Sequence, residues 1–365
     1  MSYSPVGMEK RALDTPALLL DLDCLERNIN RMSARCRSCG VTWRPHTKGH
    51  KTPAIAHKLL DAGAIGITCA KLGEAEVMAA GGIRDILVAN QVVGPLKIAR
   101  LVNLRRHADV MVAVDHPQHI QAISEAARAV GVEVRVLVEI DIGLRRCGVG
   151  PGEPARQLAQ QANAAPGVVF AGIMGYEGHT LTLPDDEKEV ACAVAIGLLA
   201  ESKNLIETSG LEVGIVSAGG TGSLAFTPAC PGVTEIQAGG GIMMDALYRD
   251  KMHVRGMDHA LRILATVVSC PAPDRAVIDA GRKTMGGQYG LPEVVGRAGL
   301  TLESINAEHG ILSVKTPEHM PQIGDKIELI PGYSDMTVFL HNQMHGIRNG
   351  RVEIVWDILG RGKLQ

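Results

Sequence analysis

Residues 110–140 read VMVAVDHPQHIQAISEAARAVGVEVRVLVEI. Two β-branched runs, Val110–Val114 and Val134–Ile140, flank a segment long enough for one helix. Strands joined in this way pair in parallel, because a parallel pair needs a long crossover where an antiparallel pair needs only a tight turn. The unit recurs on both sides: Val41–Pro45, Ile65–Cys69 and Asp85–Ala89 lie upstream, and Val168–Met174, Gly214–Ser217 and Thr234–Gln237 downstream. These eight runs over roughly 200 residues predict an α/β chain built on a (β/α)8 TIM-like barrel, with an open doubly wound sheet as the alternative.

The flanks read differently. An opening strand, Ala17–Leu22, leads into a helix from about Asp23 to Cys39, with Asp23 as N-cap. After about residue 255, Ile263–Ser269, Ala276–Asp279, Ile311–Val314, Lys326–Ile330, Thr337–Leu340 and Val352–Trp356 are strand-like with little helix between them, so a C-terminal all-β domain is expected. Asn349-Gly350 between two such runs is a strong hairpin signal. The expected division is 12–255 for the barrel and 256–365 for the β domain, with the opening strand (15–22) available to pair with the latter.

Composition narrows the partners. Lys+Arg number 37 against 39 Asp+Glu in 365 residues, with no basic run to grip phosphate backbones, so a small molecule is a better expectation than nucleic acid. The longest apolar stretch, Val190–Ala200, is too short to span a bilayer, which needs about 20 residues, and Met1–Ala12 lacks the apolar core of a secretory signal. No membrane partner and a cytoplasmic location are expected. Eight cysteines are too sparse for a disulfide scaffold, and Cys36-Arg-Ser-Cys39 lacks a second pair to complete a zinc site, so packed thiols are expected.

In such a barrel the loops after the strands carry the chemistry, with phosphate often held after strands seven and eight. Ser217-Ala-Gly219-Gly220-Thr221-Gly222-Ser223 follows the seventh candidate strand, and Ala238-Gly239-Gly240-Gly241 the eighth. Side-chain-free backbone lets N–H groups converge on an anion, and Thr221 and Ser223 add hydroxyls; tight turns alone are the competing reading. The first strand runs into Trp43-Arg44-Pro45-His46-Thr47-Lys48-Gly49-His50-Lys51. A lysine partly desolvated at a barrel mouth can act as an amine nucleophile, whereas a solvated basic loop is the plainer alternative. With a phosphate site across the same mouth, a phosphorylated aldehyde cofactor accounts for both features.

These motifs, together with Thr15-Pro16-Ala17-Leu18-Leu19-Leu20-Asp21-Leu22-Asp23, Val138-Glu139-Ile140-Asp141-Ile142-Gly143 and Arg146-Cys147-Gly148-Val149, resemble in order and spacing those of the D-threonine aldolase family. That family includes D-serine and 3-hydroxyaspartate dehydratases and 3-hydroxyaspartate aldolases and is related to alanine racemase. The resemblance implies a pyridoxal 5′-phosphate (PLP) lyase on D-β-hydroxy amino acids, usually a homodimer. It implies Lys48 as the Schiff-base lysine, and Gly220, Thr221, Gly222, Ser223, Gly239 and Gly240 as the phosphate cradle. Tyr176 is implied beside the cofactor, and His46 and Arg146 at the substrate; an ion pair with Asp141 or Glu139 is the structural alternative for Arg146.

Departures from the family pattern bear on mechanism. Metal-dependent members carry Pro-x-His-x-Asp or Pro-x-His-x-Cys; here Pro331-Gly332-Tyr333-Ser334-Asp335 leaves Asp335 as the surviving ligand for a divalent metal (Mg, Mn or Zn), with His341 or His345 available to substitute. The base histidine expected beyond the tyrosine is represented by the nearer His179, which is otherwise an ordinary histidine. Where the family has Ala-Gly-Ser-Tyr this chain has Ala238-Gly239-Gly240-Gly241, a wider pocket. Two further readings remain at this level: an amino-acid racemase or epimerase with Lys48 and Tyr333 as opposed bases, and a non-catalytic PLP carrier.

Overall fold

In the computed structural model, which describes residues 4–365, β1 (Ala17–Asp21) runs into α1 (Leu22–Ser38), and strand and helix then alternate. The order is β2 (Thr42–Trp43), α2 (Pro53–Asp61), β3 (Ile67–Cys69), α3 (Leu72–Ala80), β4 (Asp85–Gln91), α4 (Pro95–Leu104) and β5 (Asp109–Val114). It continues with α5 (Pro117–Val130), β6 (Val134–Glu139), α6 (Glu153–Ala164), β7 (Val168–Met174), α7 (Asp185–Thr208), β8 (Ile215–Ala218) and β9 (Glu235–Ile236). Local chemistry sets the helix boundaries. Helices α2, α4, α5 and α6 each have proline in their first two positions, where the missing N–H is no loss. The His116 side chain accepts from Gln118 N at the start of α5, and Gly131, in the left-handed region at φ 68°, ends it. The N-terminal cap of α1 is Asp21, whose carboxylate accepts from Cys24 N at 2.9 Å, and not Asp23. The apolar stretch Val190–Ala200 lies inside α7, and among the described residues no helix is long and apolar enough to cross a membrane.

The eight strands β2 to β9 form one parallel sheet in the order β2-β9-β8-β7-β6-β5-β4-β3. Its two ends meet through a His46–Thr68 bridge, where Thr47 N donates to Thr68 O at 2.8 Å and Thr68 N to Pro45 O at 2.9 Å. The result is the TIM-like barrel. Its interior is layered. Arg44 donates to both oxygens of Glu235 on β9, at 3.0 and 3.1 Å, and to Asp85 on β4 at 2.7 Å. Strands β9 and β4 are not neighbours, so only an inward-pointing side chain can join them. Arg135 on β6 extends this charged floor to Asp85 and Asp109 at 3.4 and 2.6 Å. Two residues further along each strand, Leu87, Met111 and Leu137 join Ala113 and Met174 in a buried apolar layer. Glu139, two residues past Leu137, and Gln91, four past Leu87 across a register irregularity in β4, reach the mouth, where Gln91 Nε2 donates to Glu139 at 2.5 Å and Asp115 at 3.2 Å.

The chain divides into two units: Arg31–Gly239 with Gly362–Gln365, which holds the barrel, and the residues up to Asn30 with Gly240–Arg361. The second unit carries α8 (Ala246–Asp250), β10 (Leu261–Ala272), β11 (Arg275–Ile278), α9 (Arg282–Met285), β12 (Glu293–Val294), β13 (Leu300–Ile305) and β14 (Gly310–Val314). It is completed by β15 (Lys326–Ile330), α10 (Ser334–Phe339), β16 (Gln343–Arg348) and β17 (Arg351–Asp357). Its strands form a nine-stranded sheet in which β1 lies antiparallel to β10 and parallel to β16. Leu13, Ala17, Leu19, Leu264, Ile347 and Val352 form a buried cluster on it. Asn349 and Gly350, at φ 51° and 75°, make the β16–β17 hairpin turn.

The expected strand Thr337–Leu340 is instead part of a helix. Asp245 accepts from Tyr248 N at 2.9 Å, and from the N–H and hydroxyl of Ser334 at 2.7 Å each, so one buried carboxylate caps both α8 and α10. That long-range cap has no local signature, and a short apolar run does not distinguish helix from strand.

Candidate active site

Lys48 stands half-buried in a turn after β2 that Lys51 closes by donating its N–H to Thr47 O at 2.8 Å. Lys51 adopts φ 51°, a left-handed conformation that costs a non-glycine residue about 1–2 kcal/mol. Glu74, fully buried in α3, holds the turn there: it accepts from Thr47 Oγ1 at 2.6 Å, Lys51 Nζ at 3.3 Å and Ala70 N at 3.1 Å. His46 Nδ1 accepts the Lys48 N–H at 3.3 Å. Burial, with the neighbouring Lys48 and Lys51 charges, pushes the His46 pKa well below its ordinary value, so the ring is neutral at pH 7.

Beside this turn lies the loop after β9. A side chain at Gly239 would place its Cβ 2.2 Å from His46 O, so only glycine lets the two segments touch. Gly240 is equally confined within its own unit, its α-carbon facing the Tyr248 hydroxyl. After β8, the next strand round, Gly220 packs on the Tyr176 ring, which a Cβ would meet at 3.0 Å. Tyr176 follows β7, and the Arg146 guanidinium lies over its ring at 5.6 Å. Arg146 also pairs with Glu139 at 3.9 Å, while Asp141 instead accepts the Gly143 and Arg145 N–H groups. Burial raises the Glu139 pKa. His179 is exposed on a short turn (Gly178–Thr180) and pressed against Gly143, where a Cβ would lie 2.7 Å from its ring. Residues far apart in sequence thus occupy the C-terminal ends of the adjacent strands β2, β9, β8, β7 and β6.

Ser223 has a specific set of partners. Its hydroxyl donates to Glu177 at 2.5 Å and accepts from Gly220 N at 3.1 Å, so its proton is committed within the protein. Glu177, fully buried, also accepts from Thr227 Oγ1 at 2.6 Å and Gly219 N at 3.3 Å. It therefore fixes the shape of the glycine-rich loop. Thr221 is buried in the same turn. Glu177 and Glu74 are the site residues that sequence reasoning missed. A charged residue between two glycines, as Glu177 is within Gly175-Tyr176-Glu177-Gly178, was the available signal for the first; Glu74 has none.

In the other unit, the Tyr333 hydroxyl donates to Asp335 Oδ2 at 2.8 Å, and the Tyr289 ring packs edge-on against Tyr333 at 5.1 Å. Asp335 Oδ1 is buried without a hydrogen-bond partner among the described residues. His341 and His345 are turned to the backbone carbonyls of Thr284 and Leu18, at 2.9 and 3.2 Å. No group of three His, Cys, Asp or Glu side chains among the described residues is placed to hold a metal ion. A phenol and one carboxylate do not make a divalent-cation site.

Residues 20–246 match the family described as alanine racemase, N-terminal domain, and residues 260–347 match a putative serine dehydratase domain. The chain belongs to the alanine racemase-like family that carries this second domain, a family of fold type III PLP enzymes, and it is a lyase. It is 40% identical to a D-threonine aldolase of an Arthrobacter species over 96% of this chain and 93% of that protein. It is 38% identical to a 3-hydroxy-D-aspartate aldolase of Paracoccus denitrificans over 98% and 94% respectively. The crystal structure of D-threonine aldolase from Filomicrobium marinum superposes with a TM-score of 0.96 at 38% identity, with each chain fully covered. Those similarities favour the lyase over the racemase reading.

Proposed function

We propose that this chain is a PLP-dependent aldolase that cleaves D-β-hydroxy amino acids to glycine and an aldehyde. The observation that carries the reading is the arc itself: a half-buried primary amine, two loops from which side chains are sterically excluded, and an aromatic ring topped by a guanidinium, on five adjacent strands of one barrel. These residues fit PLP. Lys48 would hold its aldehyde carbon, the backbone of Gly219–Gly222 and Gly239 with the Thr221 hydroxyl would hold its phosphate, and Tyr176 would line its ring. When bound, the cofactor supplies an electron sink for the electrons of the breaking bond.

The chain's own residues do the rest. Glu74 and Lys51 hold the Lys48 turn in place, and neutral His46 fixes its backbone. Arg146, steadied by Glu139 and the Tyr176 ring, supplies a cation for a substrate carboxylate. Exposed His179 takes the proton from the substrate β-hydroxyl as general base. The Tyr333–Asp335 pair does not fit the divalent ion that the family resemblance implies, and no step is assigned to one. The family resemblance supports a homodimer, and eight cysteines present as free thiols are consistent with a cytoplasmic location.

The test is proton NMR of the PLP-loaded enzyme in D2O with D-threonine and D-3-hydroxyaspartate, with Mn2+ and with EDTA. Glycine formation is expected under both conditions. An oxo acid would convert the reading to a dehydratase, and α-proton exchange without cleavage would refute the lyase reaction altogether.

A further inference from the structure

A cleft of about 190 Å³ opens on the unit that carries the nine-stranded sheet. Lys10, Arg11, Arg262, Arg297 and Lys326 line it, with Glu328 the one carboxylate in its wall. It is built wholly within that unit and shares no residue with the Lys48 turn or the glycine-rich loops. The β10–β15 register pairs Leu264 with Glu328 and Thr266 with Lys326. Side chains alternate along a strand, so Arg262, Thr266, Lys326 and Glu328 share one face of the sheet. The N-terminal segment lies over that face: Lys10 pairs with Glu328, and Lys326 Nζ donates to Leu13 O at 3.0 Å.

The charges do not balance. Glu328 serves both Lys10 and Arg262, the latter at 3.1 Å. Among the described residues Lys326 has only neutral acceptors, Leu13 O and Thr266 Oγ1. Arg297 reaches Asp325 at 3.4 Å from an exposed position. Arg11 is exposed and makes neither an ion pair nor a side-chain hydrogen bond among the described residues. Arg262 Nε is buried with no acceptor among the described residues. Five cations against Glu328 and the adjacent Asp325 repel one another in a chain whose net charge is −2. An anion would relieve that repulsion. Three arginines favour an oxyanion that can accept from their forked donors.

We infer that this cleft binds a small oxyanion carrying two or more negative charges, of the phosphate-ester or pyrophosphate kind. This goes beyond the lyase reading and does not depend on it. The experiment is calorimetric titration of the PLP-loaded protein, whose cofactor site is then filled, with inorganic pyrophosphate against sodium chloride of equal ionic strength. Saturable binding at one site per chain is expected, weakening as salt is added. The double variant Arg11→Gln/Arg297→Gln, which alters two exposed side chains, should weaken it at least about tenfold, the worth of one charge-assisted hydrogen bond. Lys203→Gln, which removes a cation on α7 paired with Glu207, should leave it unchanged. Absence of saturable binding, or equal affinity in the double variant, overturns the inference. So does a change in oligomer mass in the double variant without any pyrophosphate binding by the parent, which would make the cleft a contact with a second copy.

Discussion

Replacing Glu177 tests whether a buried carboxylate shapes the glycine-rich loop. Its oxygens accept from Ser223 Oγ, Thr227 Oγ1 and Gly219 N, at 2.5, 2.6 and 3.3 Å. In Glu177→Ala the Ser223 hydroxyl can turn to Gly220 O, already 3.3 Å away. The buried Thr227 hydroxyl and Gly219 N–H lose their acceptor. At about 1–3 kcal/mol for each unsatisfied donor, the cost is about 4 kcal/mol. Glu177→Gln keeps the shape and one acceptor oxygen but turns an NH2 toward groups that themselves donate, so it should cost about 1–3 kcal/mol. Urea unfolding of the cofactor-free protein reads these losses. Titration of each variant with PLP, followed by absorbance, should show cofactor affinity reduced about tenfold in Glu177→Gln, or about 1.4 kcal/mol. If Glu177→Gln retains the parent's unfolding midpoint and cofactor affinity, the carboxylate does not organise the loop.

Removing Glu235 leaves Arg44 buried with its contact to Asp85 only, so Glu235→Ala should lose about 3–5 kcal/mol in urea unfolding. Burial holds His50 at about 3, against an ordinary value of 6.5. The unfolded chain therefore takes up this proton first, and stability present above pH 6.5 is lost as the pH falls toward 3. His50→Asn, which keeps an acceptor for Thr52 N–H, should reduce the stability difference between pH 6.5 and 5 by about 2 kcal/mol. Asp245→Ala uncaps two helices and should cost about 2–4 kcal/mol, seen as a lowered thermal midpoint. Because the Tyr333–Asp335 pair does not suit a divalent ion, EDTA should leave turnover within about twofold of its value in Mn2+, and a larger loss would restore a metal to the reaction.

The barrel was legible because its strands announce themselves twice, by β-branched runs and by the helices between them. Val168–Met174 matches its strand at both ends for that reason, whereas β2 is only Thr42–Trp43: Arg44 and His46 N–H still bond to the β9 segment, but Pro45 has no N–H to offer on the side of β3. The Lys48 turn and both glycine loops were readable from residue type, since few chemistries ask for those residues at strand ends. What pins them was not readable. Apart from the Ala70 N–H, the groups that the Glu74 and Glu177 carboxylates accept from lie 23 to 50 positions away, and such partners leave no local pattern. The strand expected at Thr337–Leu340 failed in the same way, its helix being started by an aspartate 89 residues earlier.

The pairing of β1 has a consequence for how the polypeptide acquires its structure during synthesis. Its neighbours are β10 and β16, matched as Leu18 to Ile263 and Leu19 to His345, while the whole run of barrel strands lies between β1 and both of them. A ribosome therefore releases every strand of the barrel while Leu18, Leu19 and Leu20, all buried in the finished protein, are still without their sheet. For most of translation this apolar ribbon is an open strand edge, the kind of segment that a holding chaperone recognises or a neighbouring nascent chain captures. The barrel can close early, but the sheet that shelters the chain's first strand is finished only when nearly all the sequence has emerged.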